Sequence, residues 1–214
     1  ILYRFGAKSF FTDHSNASVT GMYDNHKRDW SSEILQAVGL EKEQLPKIVT
    51  AGTLAGKLNN ESSKKTGIPS GAPLFVGAGD QQCTTLGSGG IEEGEAVLCL
   101  GTAGILNCPV QKPRNTLDGG FFCTEHVITK RWVLEVIQNA MGSSIFFLTS
   151  LLGVSSKKKL MEMAYKSKVG SKGLLYLPFI SGIGSPNFDS KTKGAFIGLS
   201  IEHTKKEMAR SVFE

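Results

Sequence analysis

Two short apolar runs end in glycine and then present a polar group, and they restrict the fold of this chain more than any other stretch. Leu74-Phe75-Val76 leads into Gly77-Ala78-Gly79-Asp80-Gln81-Gln82, and Ala96-Val97-Leu98-Cys99-Leu100 leads into Gly101-Thr102-Ala103-Gly104. A strand that stops on glycine lets the backbone approach a neighbouring group, because no Cβ stands in the way. Asp80 then offers a carboxylate. Thr102 offers a hydroxyl among glycines whose backbone N–H groups are open. A carboxylate and an N–H cradle near each other suit a hydroxyl activated beside a phosphate. Glycine makes up 25 of the 214 residues, above the usual share of ~7%. The glycines cluster in turns between apolar runs, which points to tight loops and not to disorder.

The stretches around these turns alternate between helix and strand patterns. Residues 1–5 read as the tail of a helix closed by Gly6, and the run Thr12-Asp13-His14-Ser15-Asn16-Ala17-Ser18 reads as a turn or helix start. Asp29-Trp30-Ser31-Ser32 caps an amphipathic helix that stops at Gly39. Ile48-Val49 and Leu54–Leu58 read as strands, Asn60–Thr66 as a helix ended by Gly67, and Gln82–Leu86 as a short helix. Ile91-Glu92-Glu93-Gly94-Glu95 is a polar turn and the candidate domain boundary, dividing the chain into 1–92 and 93–214. Beyond it strands are expected at Ala96–Leu100, Ile105–Cys108, Gly120–Cys123, Trp132–Ile137 and Leu174–Pro178. The helix at Ser143–Leu152 is apolar on most sides and is expected to be buried. A more polar helix is expected over Lys157–Lys168, then a polar loop over Ser181–Lys193. Thr204-Lys205-Lys206-Glu207 is a capping box that opens a last helix. Both ends of the chain read as cut through helices.

Composition removes several functional classes. The net charge of +5 comes from spread lysines without interleaved aromatics, which reads as a solvated face and not as a nucleic-acid surface. No apolar stretch reaches the ~18 residues needed to span a membrane. Cys83, Cys99, Cys108 and Cys123 form no C-x-x-C pair and have no histidine at zinc spacing, so a reducing cytoplasm is the simplest setting.

Read from the residues alone, each candidate keeps two roles. Asp80 is the N-cap of the helix that follows, or a general base and magnesium ligand. Gly101–Gly104 is a hairpin turn, or a phosphate cradle. Gln81 and Gln82 are first-turn residues, or partners of a polyol. His14 is a satisfied turn residue, or a ligand. The Thr12–Ser18 run, with Asp13 in it, caps a helix or lines a polar pocket.

These motifs, in this order, resemble the FGGY family of carbohydrate kinases, within the actin/hexokinase/Hsp70 superfamily. Thr12–Ser18 looks like its T-D-Y-S/T-N-A-S segment and Asp29-Trp30-Ser31 like its D-W-S/D. Gly77–Asp80 looks like its G-x-G-D, and Leu100–Gly104 like its L-G-T-S/A-G. Leu174–Gly182 and Gly194–Leu199, with Glu207-Met208 and Ser211–Glu214, are similar to its C-terminal signatures. The resemblance implies an α/β fold of two actin-like, ribonuclease H-like ATPase domains, both incomplete over these 214 residues. The family's D-x-G-T/S loop, its adenosine motif and G-E-R-x-P are not found here. An inactive or barely active fragment is therefore expected.

The resemblance also implies roles. Asp80 takes the proton of the substrate hydroxyl and lies near Mg2+. Gln81, His14 and Asp13 contact the sugar, with His14 in the place of a tyrosine. Gly101, Thr102, Ala103 and Gly104 meet the phosphates of ATP. The two domains then close around a cleft. The activity implied is phosphorylation of a ketopentose such as xylulose, with glycerol, gluconate or another polyol as the alternative substrate. A reading of another class is an actin-like module that binds nucleotide and transfers nothing. The expected partner is a small sugar or polyol, with neither nucleic acid nor membrane, and a homodimer is left open.

Overall fold

The computed structural model describes residues 1–114 and 120–214. Its elements begin with helix α1 (Leu2–Phe5), strand β1 (Phe11–Asp13), helix α2 (His14–Ser18), strands β2 (Tyr23–Asp24) and β3 (Asp29–Trp30), and helix α3 (Ser32–Val38). Next come β4 (Lys47–Val49), β5 (Leu54–Lys57), α4 (Asn60–Thr66), β6 (Pro73–Phe75) and α5 (Asp80–Gly87). β1 and β4 pair in parallel, with Thr12 opposite Ile48; β2 and β3 form an antiparallel hairpin, and β5 pairs antiparallel with β6. The helix starts are local in origin. Ser31 Oγ accepts from the Ile34 N–H at the start of α3, and Asn59 Oδ1 accepts from the Ser62 N–H at the start of α4. Gly39 and Gly67 end those two helices in the left-handed region, where glycine carries no Cβ penalty.

A four-stranded sheet follows, made of β7 (Val97–Leu100), β8 (Gly104–Val110), β9 (Phe122–Glu125) and β10 (Trp132–Gln138), in the order β7-β8-β10-β9. β9 and β10 are antiparallel, with Val133 opposite Thr124. The remaining elements are α6 (Gly142–Leu151), α7 (Lys157–Ala164), β11 (Leu175–Leu177), β12 (Ala195–Ile197) and α8 (Lys205–Phe213). β12 pairs antiparallel with β11. Three residues are too few to show a period of two, and no strand is assigned there from sequence.

The chain packs as two units. The first holds residues 1–97 with 107–114 and 122–135, and the second holds 98–106, 120–121 and 136–214. The division is not a single cut. β9 and the first part of β10 join the first unit because their side chains reach into it. Glu125 bonds Tyr23 and Arg28, Thr124 and Glu135 bond Gln82, and His126 Nε2 lies 3.0 Å from the carbonyl oxygen of Gly90. The polar turn read as a boundary is held from the same side, since Arg131 Nη1 donates to the Ile91 carbonyl at 2.5 Å and meets Glu92 at 2.8 Å.

The first unit has one apolar cluster of Ala17, Tyr23, Trp30 and Leu35 and another of Ala7, Ala55 and Val76. The second unit is centred on Leu148, Leu152, Leu160, Ala164 and Ala209. Two expectations for this unit are corrected. α6 is not buried all round: α7 and α8 cover the side carrying Leu148, while Phe146, Phe147 and Leu151 are exposed. The polar helix stops at Ala164, and Tyr165 beyond it is exposed. The capping box does form, with Glu207 Oε2 accepting from the Thr204 N–H at 2.9 Å and the Thr204 hydroxyl at 2.7 Å. The Thr204 hydroxyl bond is the main reason that the Glu207 pKa is held down to about 2.

Candidate active site

The apolar strand β6 delivers the chain to Gly77–Gly79, and α5 begins on the next residue. Its N-cap is Gly79, at φ −59° and ψ 142°, which contributes no side chain. Asp80 is therefore the first helical residue and not the cap, which corrects one of its two sequence readings. Its carboxylate is exposed, and Oδ1 accepts the Gln81 N–H at 2.9 Å. A Cβ at 79 would run into Gln82 Oε1, so any side chain there has to displace the Gln82 amide.

The turn is tied to a second helix start. The Gly79 N–H donates to Ser15 Oγ at 2.8 Å, and the Ser15 hydroxyl donates in turn to Asp13 Oδ2. Asp13 caps α2, accepting from the Ser15 N–H at 2.8 Å, the Asn16 N–H at 3.3 Å and Asn16 Nδ2 at 2.6 Å. Those four bonds use the lone-pair sites of a carboxylate, so the buried Asp13 spends its acceptors on holding this turn. One bond thus joins the starts of α2 and α5, with His14 and Asp80 each one residue away from it.

The two glutamines after Asp80 differ. Gln81 Oε1 is buried without a partner among the described residues. A buried acceptor left unsatisfied costs about 1–3 kcal/mol, and an incoming hydroxyl would satisfy it. Gln82 is buried, and its Nε2 donates to Thr124 Oγ1 at 2.9 Å and to Glu135 Oε1 at 2.8 Å. Thr124 Oγ1 also donates to Glu135 at 2.5 Å. Burial pushes the Glu135 carboxyl up from its ordinary pKa and the charge of Asp80 adds to this, while the Thr124 and Gln82 bonds hold it down. Ser15, Thr124 and Glu135 were not singled out from sequence. A signal for Glu135 does exist: it is a charged residue inside the otherwise apolar strand β10, and such a residue is seldom buried unless it has partners.

On the other side of Ser15, His14 begins a polar chain. Its Nδ1 lies 2.7 Å from the Tyr23 hydroxyl, which lies 2.8 Å from Glu125 Oε1. Glu125 is fully buried and receives Arg28 through Nε at 2.7 Å and Nη2 at 3.3 Å. Burial, and then the charge of Arg28, lower the His14 pKa, against the opposing charges of Glu125, Asp13 and Asp29. Burial and the Glu125 bond push the Tyr23 phenol far upward, so it keeps its proton. His14 and Arg28 line a cavity of about 620 Å3 with Asp29, Trp30, Lys42 and Lys47. Neither Asp80 nor Gln81 lines that cavity.

In the second unit, Gly101–Ala103 close the turn between β7 and β8, as the hairpin reading expects. The Gly101 N–H donates to the Ala103 carbonyl at 3.0 Å. The Gly101 and Thr102 carbonyls accept the Gly142 and Ser143 N–H groups at the start of α6, at 3.0 and 3.2 Å. With its carbonyls turned onto α6, the loop leaves the Thr102 and Ala103 N–H groups without a partner among the described residues. Two adjacent free N–H groups suit an anion. Among the described residues, no group of three or more His, Cys, Asp or Glu side chains could hold a metal. No helix among them is long and apolar enough to cross a membrane.

Two family models match the chain: the N-terminal domain of the FGGY family of carbohydrate kinases over residues 2–87, and its C-terminal domain over residues 119–214. The chain belongs to the FGGY family. It is 31% identical to the xylulose kinase of Escherichia coli K12 over 96% of its own length. It is 30% identical to the gluconokinase of Bacillus subtilis 168, also over 96%. Among solved structures it is similar to a ligand-bound xylulose kinase from Lactobacillus acidophilus, with a TM-score of 0.88 and 29% identity over 99% of this chain and 43% of that one. The chain spans about 42% of the length of the two curated relatives. Its mixed α/β fold is that of the actin-like sugar kinases.

Proposed function

We propose that the protein transfers the terminal phosphoryl group of ATP to a hydroxyl of a sugar or polyol, with Asp80 as the general base. The observation that carries this reading is the start of α5. An exposed carboxylate stands on a turn clamped by Ser15 on one side and Gln82 on the other, next to the buried and unpartnered Oε1 of Gln81. Asp80 accepts the hydroxyl proton as the new O–P bond forms. An ordinary carboxylate suffices for that task, because phosphoryl transfer has a loose transition state and depends mostly on positioning. Gln81 accepts a hydrogen bond from a neighbouring hydroxyl and fixes which oxygen faces the phosphate. The free N–H groups of Thr102 and Ala103 receive phosphate oxygens.

Mg2+ is commonly held by one or two carboxylates plus substrate phosphates, and the single exposed carboxylate of Asp80 fits that manner of binding. The ion would supply charge neutralisation at the phosphates.

A ketopentose such as xylulose is the leading substrate, on the similarity to xylulose kinases. Gluconate is the second, on the 30% identity to a gluconokinase. The test is a coupled ADP-release assay on the full-length protein with a panel of sugars and polyols. Sugar-dependent turnover that is lost in Asp80→Asn supports the reading. ATP binding without any sugar-stimulated turnover would sink it.

A further inference from the structure

The polar chain behind His14 has a direction. Tyr23 has one hydroxyl proton and two close partners, His14 Nδ1 at 2.7 Å and Glu125 Oε1 at 2.8 Å. Glu125 is ion-paired with Arg28 through two bonds, so it is a carboxylate and only accepts. The phenol proton therefore goes to Glu125. The Tyr23 oxygen is then an acceptor toward His14, and Nδ1 of the imidazole must carry the proton. In a neutral ring this leaves Nε2 with a lone pair. No partner for Nε2 exists among the described residues.

The far end of the chain is held firmly. Arg28 sits at φ +55°, a left-handed conformation disfavoured for any residue with a Cβ. It is kept there by its N–H bond to the Asp24 carbonyl at 2.7 Å and by its grip on Glu125. Glu125 is fixed further through its backbone, since its N–H donates to Ser18 Oγ at 3.0 Å.

We propose that Tyr23, backed by Glu125 and Arg28, fixes His14 in the Nδ1–H tautomer, so that Nε2 accepts a hydrogen bond from a hydroxyl of the substrate. Tyr23 is then a positioning residue, and His14 reads a hydroxyl where it would repel a carboxylate. The inference rests on the kinase reading for the identity of the ligand, but the tautomer does not depend on it. It also deepens that reading, because it favours a neutral ketose or polyol over an aldonate at this point of the site. Arg28, whose charge would attract a carboxylate, is already neutralised by Glu125, and Lys42 is paired with Asp29, so of the cations lining the cavity Lys47 alone is without an ion pair among the described residues.

The groups that face His14 from the surrounding elements are Asp13, Tyr23, Arg28, Asp29 and Glu125. Burial and Arg28 hold its pKa below the ordinary 6.5. The ring is therefore neutral at pH 7 and becomes a donor only in acid. Affinity for a neutral sugar is constant above that pKa and falls as the pH drops through it.

The test has two readouts that need no turnover. A 15N–1H spectrum of the histidine rings at pH 7.5 is expected to show His14 as Nδ1–H, and an Nε2–H ring overturns the proposal. Calorimetric binding of a ketopentose is expected to weaken about five- to tenfold in Tyr23→Phe, the loss of roughly one ordinary hydrogen bond. Unchanged affinity in a variant whose tautomer has switched also overturns it. In His14→Asn the acid-side loss of affinity should disappear, and its persistence counts against His14. Absence of phosphorylation by the full-length protein, with sugar binding of this kind retained, would remove the kinase reading and leave the tautomer standing.

Discussion

The Asp80 turn and the Gly101–Gly104 turn both end an apolar strand in glycine, yet they are held by opposite means. The first is held by side chains. Ser15, Gln82, Thr124 and Glu135 converge on the start of α5, and a parallel set of Tyr23, Glu125 and Arg28 stands behind α2. The second is held by its own backbone, whose carbonyls take the N–H groups at the start of α6. Its close neighbours leave little room for side chains: a Cβ on Gly142 would fall on the Gly101 carbonyl oxygen, and one on Gly104 would lie 2.7 Å from Met141 Cε. The first turn is thus sensitive to chemistry and the second to volume.

Substitutions can break or sharpen this contrast. The largest effect is expected at the exposed carboxylate. Asp80→Asn keeps the shape of the turn and removes the proposed base, so kcat of the full-length protein should fall roughly 10²- to 10⁴-fold while calorimetric sugar affinity changes little. A drop in thermal stability of the same variant would instead make Asp80 a structural residue. Next comes the buried ion pair. Arg28→Met leaves Glu125 charged and fully buried, and breaking such a pair costs about 3–5 kcal/mol, read by urea unfolding. A change below ~1 kcal/mol would mean that the side-chain scaffold is not what holds the first unit.

In the second unit, Gly142→Ala should cost about 1–3 kcal/mol, as overpacking against a fixed backbone does. Gly104→Ala should cost less, because the obstacle is the mobile end of a methionine. The reverse order would contradict the account of the loop. The smallest effect is expected at Thr102. Thr102→Ala keeps both free N–H groups, so the KM for ATP should move by no more than about twofold, well short of the roughly fivefold that loss of one ordinary hydrogen bond of about 1 kcal/mol would bring. A larger change would show that the hydroxyl, and not the backbone, binds phosphate.

How far the fold was legible follows the same contrast between near and far. Helix starts at Ser31 and Thr204 and stops at Gly39 and Gly67 were readable, because the cap and the groups it satisfies lie within a few residues of one another. Asp80, Gln81 and the Gly101–Gly104 turn stood out for the same reason. The partners that give the site its rigidity did not. Glu125 lies 102 residues from Tyr23 and 97 from Arg28, and Gln82 lies 53 from Glu135. No local pattern encodes such pairings. α6 shows the opposite failure. Its apolar residues point in all directions, so composition suggested burial, whereas the position of α7 and α8 decides which side is covered.

Gln81 and Gln82 are identical side chains one residue apart, and their surroundings give them different evolutionary freedom. Gln81 presents a buried oxygen without a partner among the described residues, so under the proposed function a lineage that changes its sugar can change this residue alone. Gln82 is bonded to Thr124 and Glu135, so any replacement leaves a buried carboxylate short of a donor. Among descendants of this chain, position 81 should drift with substrate, whereas position 82 should change only together with 135. Recombination that separates the first ninety residues from β9 and β10 would split that pair and lower fitness even when both parents phosphorylate the same sugar.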